Sequence, residues 1–345
     1  YSRWLAPAQP DSAVHASKSC FKKLAAFIQH HRPRATASAM QTLPVAAHAT
    51  ARHARPGGAQ RASLFLGVAS APERTLARAA IRAGWGAMAR RVPAVLVEWR
   101  FFLSVGGDEA RHDATLRAHA LSEARRHTDV VLLELRESYA TLSQKTALML
   151  RWVGRHMRSG GSRRGYFLKV DDDAFVRLDA LLAEVVTWPH ERLYYGMGAA
   201  YIPDRCTDVE TERLVSLGFF CSGWAETPYH QGPDFMSGAA YLVSRDLVLL
   251  MAAHIGGDVT DDVSSRFEDV NTRMLLAAVV PGGMRNLSEW SDPRLKLWWS
   301  HHDSFDCDET ILALHPVRDQ AELQVLYTNA LANDAPLCRG LPSLL

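Results

Sequence analysis

The sequence predicts an α/β fold with a mainly parallel central sheet flanked by helices on both faces. Three observations carry this expectation. From Ser63 onward, short apolar runs rich in β-forming residues alternate with amphipathic helical segments, the pattern of strands joined by helical crossovers. The runs end in small or acidic residues, as strands do where they open onto a ligand-binding edge. The chain has 345 residues, 48% of them hydrophobic and 22% charged, enough to bury a sizeable core in one large domain or two modest ones.

Each element follows from its local pattern. "SLFLGVAS" (63–70) is a buried first strand, and "ERTLARAAIRAGWGAMA" (73–89) is a helix with Leu76, Ala80 and Ile81 at helical spacing. Arg74, Arg78 and Arg82 recur at i, i+4, i+8 and form one basic stripe on that helix. A second strand (94–105), a helix (108–127), a third strand (128–135), a helix (141–157) and a fourth strand (165–170) follow. Beyond them come a helix (177–188), a strand (192–199), an aperiodic Gly/Pro-containing stretch (201–234), a strand (235–244) and helices over 245–255 and 267–279. Residues 1–62 hold one acidic residue, Asp11, among many Ala, Arg, His, Ser and Pro. They read as a stem or tether, with an Arg-rich targeting segment as the competing reading, and residues 63–345 read as the folded domain.

Composition sets limits on partners. A formal net charge of +2 gives no bulk bias toward nucleic acid or lipid. No run of 18 apolar residues is present, so a membrane is expected only through an anchor absent from this chain, which begins at Tyr1 rather than Met. The five cysteines (20, 206, 221, 307 and 338) contain no C-x-x-C pair, which argues against a zinc or dithiol redox site. Spacing leaves their pairing open, with Cys206 and Cys221 bracketing a stretch that a disulfide would close. The one N-x-[ST] sequon, Asn286-Leu287-Ser288, is in keeping with a secretory route.

Four constellations carry chemistry. Asp171-Asp172-Asp173 stands at the carboxyl end of the fourth strand. In an extended segment Asp171 and Asp173 face one way and Asp172 the other, and such oxygen ligands suit Mn²⁺ or Mg²⁺ bridged to a substrate phosphate. The competing reading is an acidic cap for the next helix. The arginine stripe after the first strand suits diphosphate oxygens, or else is a solvated basic face. Glu268-Asp269 opens a helix, where one carboxylate would act as general base and its neighbour orient a polyol, or where both simply complement the helix dipole. "ILALHPVRD" (311–319) ends a β-like run at His315, a candidate to complete the metal site or an ordinary packed histidine. Trp298, in "LWWSHHD" (297–303), would stack on a sugar ring or fill the core.

The order of these blocks resembles the β1,3-galactosyltransferase-like family of inverting glycosyltransferases, with its β1,3-N-acetylglucosaminyltransferase and Fringe relatives. The resemblance is carried by "LFLGVASAPERTLARAAIRAGWG", "ESYATLSQKTALMLRWV", "YFLKVDDDAFVRLDALL", "FMSGAAYLVSRDLV", "FEDVNTRMLL" and "ALHPVRD", and covers roughly residues 63–325. Gly84, Ala240 and Arg273 stand where the family pattern has Thr, Gly and Gly, and the loop "GWAETPYHQGPDF" lacks the family's Tyr-Pro-Pro-Tyr signature. The resemblance implies a GT-A type fold and Mn²⁺-dependent transfer of a hexose, galactose first and N-acetylglucosamine next, from a UDP-sugar to a hydroxyl of a glycan or glycoprotein acceptor in β1,3 linkage. Residue by residue it implies metal ligation by Asp173 and His315 with Asp171. It implies donor binding by Ala69, Ser70, Arg78, Arg82, Lys145, Asp171, Asp172, Ser237 and Gly238, with Asp269 as general base. Glu268 and Trp298 are expected on the acceptor side. It further implies a Golgi membrane enzyme with a lumenal catalytic domain. A metal-dependent phosphohydrolase, needing a second metal cluster, and an inactive carbohydrate-binding protein are the alternatives.

Overall fold

The computed structural model describes residues 62–106, 110–159, 165–199, 235–256, 268–297, 310–317, 319–332 and 337–341. All of them lie in the unit Arg61–Leu345. The stem expected at 1–62 falls almost wholly outside the described residues, as do the 201–234 stretch with Cys206 and Cys221, and Trp298.

The strands are β1 (Ala62–Ser70), β2 (Val95–Ser104), β3 (Val130–Leu133), β4 (Gly165–Asp171), β5 (Phe175–Val176), β6 (Leu193–Ala199), β7 (Phe235–Ser244), β8 (Ser288–Ser291), β9 (Leu295–Lys296) and β10 (Ala313–Leu314). The α-helices are α1 (Thr75–Ala89), α2 (Ala110–Arg126), α3 (Leu142–Ser159), α4 (Leu178–Val185), α5 (Arg245–His254), α6 (Glu268–Val279) and α7 (Gln320–Leu331). Seven strands form one sheet in the order β3-β2-β1-β4-β7-β6-β8. β3, β2, β1 and β4 run parallel, β7 runs against both β4 and β6, and β8 is parallel to β6. The expectation of a mainly parallel sheet holds, with β7 as its one reversed strand among the described residues.

Alternation along β1 shows why helices cover both faces. Leu64, Leu66 and Val68 join one core with Ile81, Trp85 and Met88 of α1, Leu182 of α4 and Leu326 of α7. Phe65 and Ala69 join a second core with Leu150 and Val153 of α3, Val248 of α5 and Leu276 of α6. A period of two with both sets apolar requires cover on each side.

Two sequence expectations are corrected by packing. The run 311–315 was expected to be a strand ending at His315; its regular part is only Ala313–Leu314, in a separate three-stranded sheet of order β5-β10-β9. Helix α7 was not anticipated, although Asp319 caps it by accepting from the Glu322 backbone N–H at 2.9 Å, and that D-x-x-E spacing is the signal for a helix start.

The basic stripe is also rearranged. Arg78 is fully buried: its Nε and Nη2 donate to Glu123 at 3.0 and 2.5 Å, and its Nη1 donates to Ser70 Oγ at 2.8 Å and the Ala71 carbonyl at 2.6 Å. Arg82 pairs with Glu123 at 2.9 Å and with Asp129 through two bonds of 2.8 Å, its guanidinium lying 4.7 Å from the Phe101 ring centre. These charges lock α1 to α2 and to the end of β1. Burial works to raise the Glu123 carboxyl, and Arg78 and Arg82 outweigh it, holding the group below its ordinary 4.5.

A depressed carboxylate contributes stability that is present above the unfolded value and is lost as pH falls through the folded one. Glu123→Gln also leaves the buried Arg78 charge uncompensated, so we expect a loss of about 3–5 kcal/mol near neutrality. Urea unfolding across pH 3–7 should show the gap between wild type and variant narrowing below about pH 4.5. At Gly84 an added Cβ would strike the buried Tyr327 ring of α7, so glycine rather than the family's threonine fits here. Gly84→Thr should cost about 1–3 kcal/mol by the same assay.

Candidate active site

The site forms where the carboxyl ends of β1 and β4 lie side by side, Ala69 opposite Asp171 in the parallel register. β4 is buried on both faces until Asp171, and the chain then turns, the Ala174 N–H donating to the Asp171 carbonyl at 3.2 Å. Asp171 and Asp173 thus reach a common place through a turn rather than through the extended alternation expected. Their carboxylates and His315 present ligand atoms all within 4.8 Å of one another. Asp173 Oδ1 is 3.3 Å from His315 Nε2.

His315 is held from behind. Its Nδ1 lies 3.1 Å from the Leu297 carbonyl, which can only accept, so Nδ1 carries the proton and Nε2 faces the aspartate. A ligating histidine is commonly fixed this way. The backbone closes the arrangement: the Val317 N–H donates to the Asp173 carbonyl at 2.8 Å, and the His315 N–H to the Lys296 carbonyl at 2.9 Å. Two carboxylates and one imidazole suit a divalent cation of the Mn²⁺ class, and the three residues fit such an ion.

Asp172 faces elsewhere. It is 8% exposed, accepts from Ser70 Oγ at 2.7 Å and from Arg74 Nε at 3.2 Å, and burial pushes its carboxyl up to about 6 against the pull of both partners. Lys145 Nζ donates to the Ser70 carbonyl and to Glu137, both at 2.7 Å. Arg78, Arg82 and Lys145 were expected to present charge to the donor. In the structure each of these charges is paired, Arg78 with Glu123, Arg82 with Glu123 and Asp129, and Lys145 with Glu137.

The residue that sequence reasoning passed over is Lys169. Fully buried, its Nζ donates to Asp171 Oδ1 at 2.8 Å, to Glu268 Oε1 at 2.7 Å and to the Gly238 carbonyl. The signal was present: a lysine amid the apolar run "YFLKV", two residues before an aspartate and hence on its face. Glu268 is 4% exposed and also accepts from the Tyr241 hydroxyl at 3.2 Å. Burial pushes the Glu268 carboxyl up to about 7 against the pull of Lys169. Glu268, expected on the acceptor side, is paired with Lys169 in the structure.

Asp269, next along α6, accepts from the Gly238 N–H at 3.1 Å through Oδ2, and Oδ1 takes the Val270 N–H at 2.9 Å. Burial raises its carboxyl above the ordinary aspartate value. A Cβ at position 238 would strike Glu268 and come within 3.2 Å of Asp269, so this glycine is needed for α6 to approach β7. Ser237 is buried beside it. The structure therefore brings Asp171, Gly238, Glu268 and Asp269 together around Lys169, with Asp173 and His315 adjoining Asp171.

The galactosyltransferase family model matches residues 76–279. The chain belongs to the galactosyltransferase family. Mouse β-1,3-galactosyltransferase 6 is 38% identical over 144 residues, 39% of this chain and 41% of that protein. Human UDP-GlcNAc:βGal β-1,3-N-acetylglucosaminyltransferase 8 is 27% identical over 269 residues, 76% of this chain and 60% of that protein. The chain thus spans less than two thirds of the length of these relatives. A solved glycosyltransferase involved in glycosylation of the major capsid of PBCV-1 aligns over 77% of this chain and 99% of that one at 10% identity, with a TM-score of 0.38, too low to argue from. The galactosyltransferase match holds the aspartate triplet, Gly238 and Asp269, while His315 lies beyond it.

His315→Ala removes one of the three candidate ligands and leaves the Lys169 cluster intact. Titration with Mn²⁺, read by paramagnetic resonance of the free ion, should show at least tenfold weaker binding, with Asp173→Ala as severe.

Proposed function

We propose that this chain is an inverting glycosyltransferase that moves a hexose from a UDP-sugar to a hydroxyl of a glycan or glycoprotein acceptor, forming a β1,3 linkage. The observation that carries this reading is the placement of Asp269: one peptide, Gly238, and one ammonium, Lys169, link it to the metal-ligand carboxylate Asp171. A base and a diphosphate site held that close serve a single displacement.

The chemistry follows from the residues. Asp269, buried enough to have a raised affinity for protons, takes the proton of the acceptor hydroxyl as its oxygen bonds to the anomeric carbon. The bond from that carbon to the diphosphate oxygen breaks on the opposite side, and the electron pair leaves with UDP. An α-linked donor gives a β-linked product, with no covalent intermediate. Bound by Asp171, Asp173 and His315, a divalent cation such as Mn²⁺ would supply positive charge to the departing diphosphate. Gly238 and Lys169 hold Asp269 and Asp171 at a fixed separation, so the base needs no rearrangement to act.

Galactose is the proposed sugar because mouse relatives of 38% and 33% identity carry the name β-1,3-galactosyltransferase. N-acetylglucosamine is the second reading, favoured by the human relative whose likeness extends over 76% of this chain. Among the described residues one group of three suits a metal ion, whereas the phosphohydrolase alternative needs two. A Golgi lumenal setting is supported by Cys338, which is disulfide-bonded, its partner lying outside the described residues. No helix among the described residues is long and apolar enough to cross a membrane.

Release of UDP from UDP-galactose and UDP-N-acetylglucosamine, with Mn²⁺ and a panel of β-linked sugar acceptors, tests the reading. Asp269→Asn should lower kcat by about 10²–10⁴-fold while leaving Mn²⁺ binding unchanged. In the wild type, kcat/KM should rise with pH along an acid limb displaced above the ordinary aspartate value of 3.8, since the base works only when ionised. Wild type that releases no UDP from either donor overturns the proposal.

A further inference from the structure

The three arginines of the α1 stripe have different fates. Every nitrogen of Arg78 is engaged by Glu123, Ser70, Ala71 or Pro72, and every nitrogen of Arg82 by Glu123 or Asp129. Arg74 uses only Nε, on Asp172 at 3.2 Å. Its Nη1 and Nη2 have no hydrogen-bond partner among the described residues, and its side chain remains 32% exposed. The guanidinium stands over the aspartate triplet, near enough for its charge to act on Asp173 as well as on Asp172.

Charge accounting sharpens the contrast. Lys169 is neutralised by Asp171 and Glu268, Lys145 by Glu137, and Arg78 and Arg82 by Glu123 and Asp129. A nucleoside diphosphate brings close to three negative charges to a place already holding Asp171, Asp172 and Asp173. Among the described basic residues at this edge, Arg74 alone keeps a pair of donors uncommitted, and a planar fork of two N–H donors matches the geometry of phosphate oxygens.

We infer that Arg74 is the phosphate ligand of the donor site: its Nη1 and Nη2 bind the diphosphate of the nucleotide-sugar, while its Nε stays on Asp172. This role rests on the donor reading given above. It is a role for a residue outside the family match, which begins at Leu76. Arg74 holds the leaving group and strengthens its grip as charge develops on the diphosphate oxygen. The contact with Asp172 fixes the direction in which the fork points, so Asp172 serves as the positioning residue for Arg74.

The experiment is calorimetric titration of the full chain with UDP, and separately with uridine, in the presence of Mn²⁺. Wild type, Arg74→Gln and Arg74→Lys are compared, with melting temperatures measured alongside. The expected result is that Arg74→Gln weakens UDP binding at least tenfold and uridine binding less than twofold. Arg74→Lys should recover part of the UDP affinity as a point charge without the fork. Equal weakening of UDP and uridine would assign Arg74 to the shape of the nucleoside pocket and overturn the inference. So would unchanged UDP affinity in Arg74→Gln, or a fall in both that tracks a lowered melting temperature. Wild type that binds no UDP at all removes the donor reading itself and this role with it, whereas wild type that binds UDP as tightly as Arg74→Gln removes only the role of Arg74.

Discussion

An ammonium with no exposure to water, Lys169 Nζ, is the constraint on which the site depends. A buried charge is tolerated only when it is paired and hydrogen-bonded, and here three acceptors from three elements satisfy it: Asp171 of β4, the Gly238 carbonyl of β7 and Glu268 of α6. Each acceptor is thereby fixed relative to the other two. Because Asp171 belongs to the group suited to a metal ion and Glu268 immediately precedes the proposed base, one cation sets the spacing between the two halves of the proposed chemistry. The reversed direction of β7 matters for the same reason. Its antiparallel pairing with β4 sets Lys169 opposite Tyr241 and brings the early β7 residues to the carboxyl end of β4, where Gly238 meets the helix.

The second constraint is the disposal of negative charge. Three successive aspartates would repel one another, and the structure gives each a separate counterpart: Lys169 for Asp171, Ser70 with Arg74 for Asp172, and His315 for Asp173. Ser70 Oγ stands in a chain, accepting from Arg78 while donating to Asp172. Arg78 therefore acts on the triplet through a hydroxyl rather than by contact. Its own charge is spent on Glu123, which keeps the first helix rigid beneath the place where a donor would lie.

Much of the fold was legible in the sequence because β1, the Phe101–Leu103 end of β2 and most of β4 are apolar runs between helical segments. β8 was not: Ser288–Ser291 is four residues without apolar alternation, paired to β6 and tied down by the Arg273–Glu289 ion pair and the Trp188–Trp290 contact. The candidate site divides along a similar line. The convergence of Asp171, Asp173 and His315 was foreseen from the order of motifs, and the structure makes it concrete. What local spacing did not show is which charges meet which. An arginine stripe reads the same whether it faces solvent, a ligand or carboxylates 45 and 47 residues away, and Glu123 and Asp129 carry no mark of their partners. Glu268 likewise looks like a helix-start carboxylate until Lys169 is found 99 residues away in sequence and 2.7 Å away in space.

The position of His315 shows how the site depends on chain beyond the matched family span. Nothing in the large sheet carries this residue. It follows the two-residue strand β10, which pairs on one side with β5, just after the aspartate triplet, and on the other with β9. β5 begins only two residues past Asp173, so the small sheet is tied to the triplet through one intervening residue, Ala174. The Val317-to-Asp173 and His315-to-Lys296 backbone bonds and the Nδ1 contact with the Leu297 carbonyl then hold the imidazole against the carboxylates. A two-residue strand has little stability alone. Its order comes from the apolar residues around it, Ile311, Leu312, Ala313, Leu314 and Val317, which all enter the core shared with α1, α4 and α7. The imidazole of the group suited to a metal ion is thus held in place by core packing on the face of the sheet opposite the one on which Lys169 organises Glu268 and the proposed base.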